Sequence, residues 1–221
     1  MASRGNYKLQ LLIALALLIA PACKSGSSSR NGREGGVGGV AASDGAGTHV
    51  DVMCMGDRID NPPGPFHYSY KYTDWSGSAD KEADITPQKM DITIQDKSGS
   101  HSYHGVHSDE ASWNSAILDL SGLNITGMSA RLGSLNGSAV TSQGAESVNG
   151  YSATKYAIDT TSASSTDKQT FETLFGKGSF EKGTVWIPAD GCAVKLVLDE
   201  GLQQTDGSVK KAHYEMAMIK E

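Results

Sequence analysis

The chain has few of the groups that redox, metal or nucleotide chemistry requires. It holds three cysteines in 221 residues, none of them in a C-x-x-C pair, which excludes a thioredoxin-type redox motif and the usual zinc ribbons. H-E-x-x-H, G-x-S-x-G and a phosphate-binding P-loop are also missing, so the common signatures of zinc peptidases, serine hydrolases and nucleotide-binding enzymes are absent. The glycine run at residues 35–39 has no strand before it and no helix after it, and reads as low complexity. Lysine and arginine total 19 against 25 acidic residues, for a net charge of −6. No basic cluster occurs beyond the first residues, so nucleic acid is not an expected partner. The longest apolar run, LLIALALLIA at residues 11–20, is too short for a stable membrane span.

That short run sits in an informative setting. Arg4 and Lys8 precede it, and small residues follow it up to Cys23, which is the pattern of an export signal. The segment Ile19-Ala20-Pro21-Ala22-Cys23 resembles the lipobox of bacterial lipoproteins. The resemblance implies that residues 1–22 are removed, that Cys23 receives diacylglycerol and a fatty acyl group such as palmitate, and that the chain is anchored to the cell envelope. Two acyl chains hold a protein on a membrane where one binds only marginally. Lys24, following the cysteine, implies the periplasmic side of the outer membrane rather than the inner membrane. A second processing route fits the same residues, because Ala20-Pro21-Ala22 is also an A-x-A site for ordinary signal peptidase.

Residues 23–49 then form a tether. Gly, Ser and Ala dominate and bulky apolar side chains are almost absent, so the segment cannot offset its own chain entropy by burial. A flexible chain of this length reaches about 25–30 Å. Residues 50–221 have the composition of one globular domain. Cys54 and Cys192 are the cysteines left to it, and in an oxidising compartment they are expected to form one disulfide.

Within the domain, period-two alternation predicts strands. Residues 66–73 place Phe66, Tyr68, Tyr70 and Tyr72 on one side and His67, Ser69, Lys71 and Thr73 on the other. Further strands are expected at 90–94, 102–106, 139–148, 151–159, 184–188, 192–198 and 209–220, the last with Ala212, Tyr214, Met216 and Met218 on one face. The turns at 96–99, Asn149-Gly150, 189–191 and Asp206-Gly207 join neighbours as hairpins. Two helices have start signals. Ser108 can cap a helix carrying Trp113, Ala116, Ile117 and Leu120 on one stripe, with Gly122 to end it. The stretch from Thr166 to Gln169 opens a second, with Phe171, Leu174 and Phe175, that stops at Gly176. Met128, Leu132 and Leu135 suggest a third, poorer helical turn. The expected fold is α+β: a mostly antiparallel, curved, half-barrel-like meander with two or three short helices on one face.

The residues Val148-Asn149-Gly150-Tyr151 running to Ile158, then 183–188, Asp190-Gly191 and 194–198, resemble the strand-pair rhythm of Lol-type lipoprotein carriers and LprG-type lipid-binding lipoproteins. That resemblance implies a half-barrel closed by helices around acyl chains. The candidate lining for a lipid or other apolar ligand is Tyr68, Tyr70, Tyr72, Trp113, Tyr214, Met216 and Met218, since phenols and thioethers make adaptable apolar walls. The same residues would equally make an ordinary packed core. The histidines give the one cluster that draws notice, His101, His104 and His107, with His67 and Asp109 nearby in kind. On a strand His104 faces away from His101, and His107 lies about 20 Å from His101 along an extended chain. No metal, cofactor or catalytic residue is therefore expected, with one alternative left open: a loop that gathers two of these histidines around a metal such as zinc. Two functions remain: a non-catalytic envelope lipoprotein that binds or carries an apolar ligand, or an anchored structural protein with a filled core that contacts an envelope protein partner.

Overall fold

The computed structural model describes residues 50, 52–121, 124–135 and 137–220. Cys23 and the tether lie outside the described residues. A helix not anticipated from the sequence, α1 (Met53–Asp60), opens the domain. Four strands follow as a meander: β1 (Phe66–Asp74), β2 (Gly77–Ile85), β3 (Lys89–Asp96) and β4 (Gly99–Val106). Helices α2 (Glu110–Ser121) and α3 (Asn124–Gly133) come next. A second meander completes the chain: β5 (Val140–Val148), β6 (Tyr151–Asp159), helix α4 (Ser165–Phe175), β7 (Phe180–Pro188), β8 (Lys195–Gln203) and β9 (Val209–Lys220).

All nine strands form one antiparallel sheet in the order β4-β3-β2-β1-β9-β8-β7-β6-β5. The first meander runs outward from the middle, and α2 and α3 carry the chain to the far edge. The second meander then returns until β9 pairs with β1. That pairing sets Tyr68 opposite Met218, Tyr70 opposite Met216 and Tyr72 opposite Tyr214. The alternation in β1 and β9 thus becomes one apolar seam at the centre of the sheet. Apart from the half-buried Tyr72, its large side chains are buried together with Trp113, Leu120, Met128, Leu132 and Phe171 from the helices, in the larger of two core clusters among the described residues. Each fully buried side chain of this size contributes about 1.5–3 kcal/mol relative to exposure.

Strand β2 was not expected, and its inward residues explain why. Ala79, Ala83 and Ile85 are buried, but Lys81 takes the inward position between the alanines, so alternation of large apolar residues is missing. Lys81 donates to the Asp119 carbonyl at the end of α2, at 2.6 Å. Burial holds its ammonium below the ordinary lysine range. Residues 192–194, expected within a strand, form a connection ahead of β8 instead. Cys192 is committed there to the disulfide. The third helix is a full ten-residue element, with Leu135 lying just beyond it.

Helix α2 reaches the sheet because β4 has a glycine beneath it. A Cβ on Gly105 would stand 2.8 Å from the Ala116 Cβ. A Gly105→Val variant is therefore expected to lose about 1–3 kcal/mol from overpacking, read as a lower urea midpoint. An unchanged midpoint would show that the helix does not seat on that glycine. At the β5–β6 hairpin, Asn149 and Gly150 adopt φ 53° and 80°, the left-handed pair that a two-residue turn requires.

Candidate functional site

A groove of about 670 Å³ opens at the end of the sheet where β1 begins and β9 ends. Phe66 and Met218 supply its apolar floor, and the sequence had placed both on the inward faces of their strands. One wall is α1 with the Pro63-Gly64-Pro65 segment after it. The other is Tyr151 from β6 and the β7–β8 connection with Asp190 and Cys192. The Cys54–Cys192 disulfide, with a Cα–Cα distance of 5.6 Å, ties α1 to that connection. Both of its cysteines line the groove. Arg58 pairs with Asp190 across the same join. Lys220 lies at the rim with its Nζ 5.8 Å from the Tyr151 ring centroid. A lining that mixes Phe66, Met218 and Tyr151 with Asp57, Arg58, Asp190 and Lys220 suits a ligand that carries both apolar and polar parts.

Among the seven side chains expected to line a ligand chamber, Met218 reaches this groove. Tyr68, Tyr70, Trp113, Tyr214 and Met216 are buried in the core, and Tyr72 packs against it. Tyr70 stacks on Tyr72 and Tyr214 at 5.6 and 6.5 Å. The Trp113 indole N–H donates to the Asp60 carbonyl at the end of α1, at 3.2 Å. Burial pushes the phenol of Tyr68 far above its ordinary range.

A charge cluster sits in the same core. Arg131 on α3 donates through Nε to Glu181 Oε1 on β7 at 2.6 Å, and it also pairs with Glu200 on β8. The Tyr214 hydroxyl donates to Glu200 Oε1 at 2.8 Å. Glu181 is fully buried, and its Oε2 has no hydrogen-bond partner among the described residues. Burial pushes the Glu181 carboxyl up to about 8, with Arg131 opposing and Glu200 reinforcing the shift. Sequence reasoning missed this cluster, because its members are separated by dozens of residues and no local pattern marks a helix arginine as buried. The one available signal was that Glu181 and Glu200 fall at inward positions of their strands.

The histidines each have their own partners. His101 hydrogen-bonds Ser98 Oγ at 2.9 Å, His104 Nδ1 bonds Asp91 Oδ1 at 2.7 Å, and the His107 ring meets the Trp113 ring edge-on at 5.0 Å. His67 sits between Asp84 and Glu82 at 2.8 and 2.6 Å. Its pKa is raised: partial burial lowers it, but the two carboxylates more than offset that. Among the described residues no group of three or more His, Cys, Asp or Glu side chains is placed to hold a metal ion. No described helix is long and apolar enough to cross a membrane.

These features define an α+β protein with a nine-stranded antiparallel open sheet and a groove at one end. No family model matches the chain, and no curated protein sequence matches it. Among solved structures it is similar to MucB in complex with MucA(peri), at 10% identity over 76% of this chain and 56% of that one, with a TM-score of 0.29. It is also similar to LprF from Mycobacterium bovis, at 16% identity over 73% of this chain and 87% of that one, again with a TM-score of 0.29. This chain thus spans little more than half of the MucB-complex chain. Likenesses at this level assign neither a ligand nor an activity.

Proposed function

We propose that this chain is an exported, lipid-anchored envelope protein that binds an apolar or amphiphilic ligand in the end groove, without catalysis. The observation that carries this reading is the groove itself, about 670 Å³, lined by Phe66, Met218 and Tyr151 together with Asp57, Arg58, Asp190 and Lys220. Anchoring rests on the lipobox-like residues ending in Cys23. The absence of the common catalytic motifs supports a binding role rather than an enzymatic one.

The test is native mass spectrometry of the exported protein, with lipid extraction in parallel. A co-purifying apolar mass near one-to-one is expected. A Cβ on Gly64 would meet nothing within 4 Å, so Gly64→Phe fills the groove from its wall and should remove that mass while leaving the fold intact. An apo protein that takes up no palmitate on titration would overturn the reading. The second function, an anchored interaction protein, is favoured by the full burial of Tyr68, Tyr70 and Met216 in a packed core. It would then be the answer.

A further inference from the structure

The groove takes much of its polar lining from α1. Cys54, Asp57, Arg58 and Asn61 all face it, and their spacing puts them on one side of the helix and its cap. The other side carries Met55 and Ile59, both fully buried in the core. Lys220 comes from β9. Register sets it opposite Phe66, in the inward position that follows Met216 and Met218 along the strand. The inward face of β9, buried from Ala212 to Met218, therefore ends on an ammonium at the groove.

The charged groups of this lining divide into two kinds. Arg58 and Asp190 are committed to each other, and Asp190 also accepts the Cys192 N–H at 3.1 Å. That pair closes the join between α1 and the β7–β8 connection. Asp57 and Lys220 are not committed in this way. Neither forms an ion pair or a side-chain hydrogen bond among the described residues, and the Lys220 ammonium has the Tyr151 ring at 5.8 Å as its contact. Two acidic and two basic side chains leave the described lining without net charge. After the internal pair is set aside, one anion and one cation stay open to a ligand. A ligand of one charge sign matches one of them and leaves the other unpaired, whereas a ligand carrying both signs matches the two together.

We infer that the groove selects a zwitterionic amphiphile: a primary ammonium meets Asp57, a phosphate meets Lys220, and an acyl chain lies on Phe66 and Met218. An ethanolamine phospholipid has this chemistry. The inference rests on the groove reading above and narrows it, because a fatty acid or an anionic lipid would satisfy Lys220 and leave Asp57 without a partner.

The test uses the mature chain as Cys23→Ser, so that no acyl group of its own competes. After delipidation it is titrated with lysophosphatidylethanolamine or lysophosphatidylglycerol of one acyl length, below the concentrations at which either forms micelles, and Kd is read by calorimetry. The two probes share the chain and the phosphate and differ in the ammonium. Lysophosphatidylethanolamine is expected to bind about tenfold more tightly. Asp57→Asn should cost that ligand about tenfold and leave the other unchanged, so that the preference disappears. Lys220→Gln should weaken both about fivefold. Both positions are exposed, and circular dichroism confirms the fold of each variant. Gly64→Phe should remove both ligands, which ties the binding to the groove. Equal affinity for the two probes, a preference that survives Asp57→Asn, or unchanged binding by Lys220→Gln would each overturn the headgroup assignment while the groove still takes up an amphiphile. Uptake of neither probe, nor of palmitate, would overturn the groove reading and this inference with it.

Discussion

An Arg131→Met variant is expected to lose about 3–5 kcal/mol of stability, because it strips the cation from two buried acidic side chains. Arg131 bridges Glu181 and Glu200, which are almost wholly inaccessible to water. Without the guanidinium the two groups must either share a buried negative charge or take up protons. Urea unfolding of Arg131→Met against the parent measures the loss. A midpoint within experimental error of the parent would show that the cluster does not hold α3 on the sheet.

The same cluster sets a pH dependence. The Glu181 carboxyl titrates near 4.5 when unfolded and at about 8 when folded. Below pH 4.5 both states hold the proton, and its contribution to stability is fully present. Between pH 4.5 and about 8 the unfolded chain gives up that proton while the folded one keeps it. The folded state then binds more protons, so stability falls as pH rises, by up to about 1 kcal/mol per pH unit. Above pH 8 the loss is complete. Glu181→Gln keeps an acceptor for Arg131 and cannot ionise, so its stability should be flatter across this window. If Glu181→Gln showed the parent's slope, the proton would belong elsewhere.

Removing the disulfide has an effect of similar size. Cys54 and Cys192 are 138 residues apart, and the chain-entropy model gives a cross-link over such a loop about 4–5 kcal/mol, in practice reduced by residual structure in the unfolded chain. A double Cys54→Ala, Cys192→Ala variant should unfold correspondingly earlier. The loss should also be local. Helix α1 keeps Val52, Met55 and Ile59 buried, the Arg58–Asp190 pair and the Trp113 contact to Asp60, but it loses its covalent tie to the β7–β8 connection. Its amides should exchange with solvent faster than those of β9. A double variant with unchanged stability and equal exchange in both elements would show that these remaining contacts suffice to hold α1.

What could be read without the structure depended on local repetition. Strands β1, β3 and β9 alternate large apolar and polar residues, the Asn149-Gly150 turn has its own backbone chemistry, and α4 has Ser164 at its cap accepting from the Asp167 amide at 3.2 Å. Each signal lies within about ten residues, the range over which periodicity and capping act, although the cap of α4 is Ser164 and not the Thr166 from which the sequence pattern opens the helix. Strand β2 escaped because Lys81 breaks its inward face, and α1 escaped because MCMGDRID is short and lacks a side-chain cap. For the histidines, strand period alone sends His101 and His104 to opposite faces of β4.

The sequence by itself determined the α+β class, most of the strands, the two principal helices and the cysteines available to pair, because these follow from patterns within one element or from simple counting. Only the tertiary structure decided that β9 returns to pair with β1, that the Tyr and Met faces fill a core, that Arg131 joins Glu181 to Glu200, and that Asp57 and Lys220 line one groove. Those are relations between residues far apart in the chain, and local propensity carries no information about which distant strand a given strand will meet.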